Sequence, residues 1–232
     1  VFGVNARFGL SAPMTAPPVQ KPTLSLLILS LPSRIVSLGR LLGQLEQQIA
    51  AAARRKNDVE ILCLTDNRVL TVGAKRNAVM QLARGRFVAF LDDDDRVSDD
   101  YLSRILTAVD ERPDADCVVF DVWVRGYDRV GIGPKEGALC RYGTELQHRT
   151  VPGADGGGWE RKPNHLMVYR ADLARSVRFP EINSGEDDLW ATTVSKLIRV
   201  QVSERRVIRF AHSCVCAPPP GTHSARAVSL RL

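Results

Sequence analysis

Four consecutive carboxylates, Asp92-Asp93-Asp94-Asp95, follow directly on the apolar run Phe87-Val88-Ala89-Phe90-Leu91. Charges crowded side by side repel one another, and a divalent cation would relieve that repulsion. Magnesium and manganese prefer oxygen ligands, and magnesium usually takes one or two carboxylates together with substrate phosphates and water. The plainer alternative is an acidic loop solvated at a strand end. An apolar strand feeding straight into the acids weakens it. A second acidic group, Ser184-Gly185-Glu186-Asp187-Asp188, precedes a helical stretch. Ser followed three residues later by an acid fits a capping box, and acids suit a helix N-terminus in any case. The functional reading makes one carboxylate a general base. Asp187 stands three residues before Trp190, on the helix side shared by Trp190, Val194, Leu197 and Ile198. It therefore points inward, and Trp190 reads as core. A third group, Gly73-Ala74-Lys75-Arg76-Asn77, opens a helix. Its N–H groups and two cations suit an anionic phosphate, and an ordinary basic first turn fits equally well.

Elements of alternating type must position these groups. Leu24 to Leu29 is a short apolar run that reads as a buried strand, broken by Pro32 and Ser33. Ile35, Leu38, Leu41, Leu42, Leu45 and Ile49 then recur at helical spacing. Val59 to Leu64 is a second strand, ending at Asp66-Asn67. A helix from about Gly73 to Arg84 follows, with Gly85 as its C-cap. Arg86 to Leu91 is a third strand. Ser98 is expected to cap the next helix, with Asp99 and Asp100 in its first turn and Leu102, Ile105, Leu106 and Val109 on its buried face. This alternation predicts an α/β fold with a parallel sheet. Ligands of such sheets bind beyond the carboxyl ends of the strands. Ser33-Arg34, Asp66-Asn67 and Asp92 to Asp95 all leave at that rim.

The second half is looser. Strands are expected at Asp116 to Val124, His165 to Tyr169 and Val207 to Ala211, and a helix at Leu189 to Ile198. A glycine-rich stretch from Gly126 to Gly158 separates the first two. Gly156-Gly157-Gly158-Trp159 reads as a mobile loop carrying an aromatic or as a linker with a packed Trp. His165 and His212 read as structural histidines.

The chain of 232 residues fits one domain, 23–217, between a disordered leader, 1–22, and a disordered tail, 218–232. No apolar run approaches the ~18 residues of a membrane span, and no signal-peptide pattern opens the chain. The net charge of +6 and a pI of about 9.3 suit an anionic ligand or an acidic membrane surface without choosing between them. Nucleic acid is not expected as a partner. Five cysteines in no repeating frame, two of them within apolar runs, point to a reducing cytoplasmic setting. His212, Cys214 and Cys216 resemble half a zinc site without its other half.

In order along the chain, Gly73 to Asn77, then Ala83-Arg84-Gly85-Arg86 through Asp95, then Asp100-Tyr101-Leu102 resemble the family-2 glycosyltransferases of the GT-A fold. The resemblance runs from about Leu24 to His212. It implies a Rossmann-like, mostly parallel central sheet flanked by helices, with a looser acceptor-side half. It also implies a nucleotide-sugar donor, expected to be UDP-linked, a saccharide or other hydroxyl acceptor, and Mn2+ or Mg2+ as cofactor. By the same resemblance Asp92 lies against the nucleoside, Asp94 reaches the metal on the diphosphate with Asp92 and Asp95 beside it, and Asp66 reads the base. Ser33, Lys75, Arg76, Asn77 and Asp93 complete the expected donor site. Glu186-Asp187 looks like the family's acidic pair, with Asp187 as general base of a single inverting displacement. Leu31-Pro32-Ser33-Arg34 departs from the family, which usually shows Pro-Thr and then an aromatic. A cytoplasmic enzyme is expected, with the inner face of the membrane as a peripheral contact. The alternatives are a nucleotidyltransferase of related fold and a non-catalytic carbohydrate- or cation-binding module.

Overall fold

The computed structural model describes residues 21–52, 58–125, 138–152, 158–212 and 226–230. The first half follows the expected alternation. Leu24–Ser30 forms β1, buried at every position except the half-buried Leu29. An unbroken apolar run of this kind suits a strand covered on both faces. A single 3-10 turn, Pro32–Arg34, leads into α1, Ile35–Ala52. Leu38, Leu41 and Leu45 set the buried face of α1, whereas Ile35, expected on it, is 62% exposed at the helix entrance. Next come β2 (Val59–Thr65), α2 (Val72–Leu82), β3 (Phe87–Asp92) and the two-residue β4 (Arg96–Val97).

Two caps differ from expectation. Helix α2 ends in an extended Ala83, so Gly85 is not its cap. Gly85 instead lets the chain close onto β1, where a Cβ would lie 2.6 Å from the Ser25 amide nitrogen. Helix α3, Tyr101–Glu111, buries Leu102, Ile105, Leu106 and Val109, but Ser98, Asp99 and Asp100 all precede it. The Ser98 hydroxyl donates to Asp100 Oδ1 at 2.7 Å rather than capping the helix.

The second half holds more strands than its sequence predicts. After β5 (Cys117–Arg125) come β6 (Ala138–Tyr142), β7 (Arg149–Val151), β8 (Gly158–Arg161) and β9 (Val168–Arg170). Three of these lie in or beside the glycine-rich stretch. The run expected as a strand from His165 begins only at Val168, because Met167 N bonds Asn164 O and turns the chain. Trp159, half-buried in β8, packs against the core. Gly156 and Gly157 lie outside the described residues. Helix α4 (Ala171–Arg175) precedes α5 (Glu186–Val194), which stops before Leu197, itself 44% exposed. Strand β10 covers Gln201–His212, and Arg226–Leu230 forms β11 inside the stretch expected as a disordered tail. The expected leader falls almost wholly outside the described residues, as do Cys214 and Cys216.

The sheet order is β11-β2-β1-β3-β9-β5-β6-β8-β7, with β10 pairing β5 and β4. Strands β2, β1 and β3 are parallel, β9 runs antiparallel between β3 and β5, and β10 is parallel to β5. The central strands β2, β1, β3, β5 and β10 thus share one direction. Ser30 pairs with Thr65 and Leu29 with Asp92, so three strands end at one level. Trp190 stacks on Phe179 at 4.6 Å and meets Tyr169 edge-on, as expected for a core residue. The cysteines Cys63, Cys117 and Cys140 are buried and unpaired. Among the described residues no helix is long and apolar enough to cross a membrane.

Candidate functional site

At the end of β3 the four aspartates divide into two kinds. Asp95 closes the turn, its amide donating to the Asp92 carbonyl at 3.0 Å and its Oδ2 accepting from the Asp92 amide at 3.2 Å. Asp93 is fully buried beneath the turn, accepting from the Ser30 hydroxyl at 2.7 Å and from Arg34 Nη1 at 2.6 Å. Burial pushes the Asp93 carboxyl up. Ser30 and Arg34 draw it down, Asp94 and Asp92 push it up again, and it ends above its ordinary value. Asp93 and Asp95, expected on the donor and the metal, therefore face the protein interior. Asp94 and Asp92 remain at the surface of the rim, their side chains 18% and 41% exposed.

Among the described residues no three His, Cys, Asp or Glu side chains gather into a metal cage. A hard divalent ion that arrives with phosphates needs only one or two carboxylates from the protein, and Asp92 with Asp94 meets that requirement. Arg34, from the turn after β1, reaches the same place. Its Nη2 lies 2.5 Å from Asp94 Oδ2 while Nη1 holds Asp93. Ser33 beside it is exposed.

The start of α2 is already occupied by the protein itself. Thr71 caps it by accepting from the Ala74 amide, and the amides of Val72 and Gly73 donate to Asn183 Oδ1 and the Ile182 carbonyl. Gly73 is required there, because a Cβ would lie 1.7 Å from the Pro180 carbonyl oxygen. With these amides engaged, the helix entrance is not a phosphate cradle, contrary to one of its two sequence readings. Lys75, expected on the donor, is buried and donates to Asp66 Oδ1 at 2.7 Å. Burial would raise the Asp66 carboxyl, but the Leu70 amide and Lys75 outweigh it, and the group stays ionised below its ordinary range. Asp66 is itself 2% exposed. Asn77 braces the segment before α5, exchanging two 2.9 Å bonds with the backbone of Phe179.

Arg76 joins the two halves of the rim. Its Nε donates to Glu186 Oε1 at 3.2 Å, its Nη2 stands 3.8 Å from Asp92 Oδ1, and its guanidinium lies over the Phe90 ring at 4.9 Å. Glu186 is buried by this pairing. Gly185, at φ 81° in the left-handed region, turns the chain into α5, and no side chain caps the helix. The Ser184 capping box is thus not formed. Asp187 is half-buried, with His165 Nδ1 at 3.3 Å from its Oδ2. Burial raises the Asp187 carboxyl, yet His165 first, then Arg76 and Arg161, more than cancel this and hold it far below the usual carboxylate range. Asp188 is outermost and is met by Arg161. Ser33, Asp66, Arg76, Asp92, Asp94, Glu186 and Asp187 thus belong to one rim. The sequence places Arg34 at this rim without a role, and Arg161 and His165 are not assigned to it from sequence. Arg161 sits in a four-residue strand with no legible period, and a lone His carries no signal of its neighbour 22 positions on.

A cavity of about 840 Å3 lies at the opposite ends of the strands, lined by Thr23, Gly85, Arg86 and Arg175 among others. Arg175 there donates to the carbonyls of Met80 and Ala83, and Arg86 to that of Val109, so these cations hold the fold together.

The model of glycosyl transferase family 2 matches residues 44–177. No curated protein sequence matches the chain. Among solved structures the chain is similar to S. aureus TarS 1–349 in complex with UDP, at 16% identity and a TM-score of 0.57. That match covers 82% of this chain and 60% of the other. The complex of the same protein with UDP-GlcNAc matches at 17% and 0.56, over 84% and 60%. TarS 1–349 itself matches at 18% and 0.58, over 82% and 60%. The chain therefore spans about 60% of the length of these structures, and the fold they share is the GT-A arrangement.

Proposed function

We propose, because this chain belongs to glycosyl transferase family 2, that it moves a sugar from a nucleoside-diphosphate donor to an acceptor hydroxyl with inversion. The observation that carries the reading is Arg76. One buried guanidinium stands between Asp92, on the donor side, and Glu186, the residue before Asp187. Donor and acceptor chemistry thereby share one rim. UDP is the proposed nucleotide, supported by a fold shared with a protein crystallised with UDP and with UDP-GlcNAc. Asp94 and Asp92 would hold Mn2+ or Mg2+, which when bound neutralises the leaving diphosphate. Asp66, at the end of β2, is the proposed partner of the base; Lys75 and the Leu70 amide cover its carboxylate, so base binding has to displace part of that cover.

Asp187 takes the acceptor proton. His165, Arg76 and Arg161 hold its carboxylate ionised and so free of a proton at neutral pH. The same cations weaken it as a base, so the hydroxyl gives up its proton only as its bond to the sugar forms. The net charge of +6 suits an anionic acceptor or an acidic membrane face, and the buried unpaired thiols suit the cytoplasm. The test is UDP release from UDP-GlcNAc with Mn2+, comparing wild type with Asp187→Asn. The variant is expected to bind Mn2+ and UDP as wild type does and to lose turnover by roughly a hundredfold to ten-thousandfold. Turnover at the wild-type rate in the folded variant would sink the assignment of the base.

A further inference from the structure

The carboxylate that would receive the metal already has a cation on it. Arg34 forks across two neighbours, 2.6 Å from the buried Asp93 and 2.5 Å from the partly exposed Asp94. The two bonds differ in kind. Asp93 has no exposed surface and is held a second time by Ser30, so its half of the fork is a fixed structural bond. Asp94 lies at the surface of the rim, and the Arg34 side chain is itself 28% exposed, so that half can open to solvent and ligand. Arg34 closes the single 3-10 turn Pro32–Arg34 that follows β1.

We propose that Arg34 is a positioning residue that occupies Asp94 in the donor-free protein and surrenders it only when cation and nucleotide diphosphate arrive together. This rests on the reading of Asp94 as a metal ligand. The physical reason is competition. A divalent ion arriving alone must break a short charge-assisted hydrogen bond to reach Asp94. A diphosphate alters that balance, because a guanidinium released from Asp94 finds phosphate oxygens that match its planar fork. Metal and nucleotide then bind with positive coupling, and metal alone binds poorly.

Arg34→Lys separates the elements of this device. An ammonium keeps the net charge and can stay against Asp93, but as a point charge it lacks the planar fork that spans two carboxylates. Mn2+ binding to the whole chain is measured by electron paramagnetic resonance, first without nucleotide and then with UDP. The expected result is that Mn2+ alone binds Arg34→Lys about fivefold or more tighter than wild type, a coupling of ordinary allosteric size. UDP should tighten Mn2+ binding more in wild type than in the variant. Adding Asp94→Asn to Arg34→Lys should abolish the gain, whereas a merely structural Arg34 would leave Mn2+ affinity unmoved or lower it. Should the lysine variant melt early, Arg34→Gln, which is shorter and uncharged, is measured in its place. Equal Mn2+ affinity of wild type and a folded variant, with Mn2+–UDP binding intact in both, overturns the inference and leaves the proposed function standing. Absence of Mn2+ binding by wild type even with UDP overturns the inference together with the assignment of Asp94 as an Mn2+ ligand.

Discussion

Replacing Arg76 with Met removes the cation from beneath the rim while keeping most of the side chain's bulk. Arg76 and Glu186 are 7% and 6% exposed, so the carboxylate left behind remains buried without its partner. Breaking such a pair from one side costs about 3–5 kcal/mol. Loss of the guanidinium from the Phe90 face, 4.9 Å away, adds roughly 0.5–2 kcal/mol. For a chain of this size 1 kcal/mol corresponds to about 2–4 °C. From the broken ion pair alone, Arg76→Met should therefore melt roughly 6–20 °C below wild type. The double variant Arg76→Met, Glu186→Leu removes both charges and should recover most of that loss, since apolar replacement of a whole buried pair is often neutral or better. Urea unfolding of wild type, both single variants and the double variant closes the cycle. Strict additivity of the single variants, or a cost for Arg76→Met below about 1 kcal/mol, would refute the reasoning and leave Arg76 a surface contact.

Two further outcomes follow from neighbouring groups. His165→Gln removes the first of the influences that hold Asp187 down against burial, so the Asp187 pKa should rise. A depressed carboxylate is ionised, and its stabilising contacts are present, above the unfolded value near 3.9, and both are lost only as pH falls through the folded value. The Asp187 carboxyl should accordingly titrate at higher pH in the variant, followed by carbon-13 NMR of the side-chain carboxyls, and an unmoved titration would remove His165 from the account of the base. Asp66→Ala leaves the Lys75 ammonium buried and should cost about 3–5 kcal/mol. Asp66→Ala with Lys75→Met should regain stability without regaining UDP binding, and wild-type UDP affinity in that double variant would make Asp66 a brace alone.

The long elements were legible because their patterns are long. Leu38, Leu41 and Leu45 repeat with the helix, and the apolar runs of β1, β2 and β3 have the length of buried strands. Strands of three to five residues between glycines, such as β7 and β8, carry no period to read. Within the aspartate run the rim was legible but its facing was not. Strand β3 is buried along Phe87–Leu91, so it gives no phase to tell Asp93, turned inward, from Asp94 at the surface. The helix-start motif at Gly73 marked the right place for a different reason. Its glycine admits the Pro180 carbonyl, and Asn77 clasps Phe179, so the motif seats another segment of the protein rather than a phosphate.

That seat bears on how such proteins can be recombined. Residues 179–186 lie in the loosely patterned half, the region a protein engineer would be first to exchange. Yet Gly73, Arg76 and Asn77, from the first half, fix that segment through a close backbone approach, a buried ion pair and a reciprocal amide clasp. A chimera cut between β3 and β5 would sever complementary surfaces even where each parent folds well. A workable graft would carry the 179–190 segment together with its matching α2 face, with the joints placed in other loops.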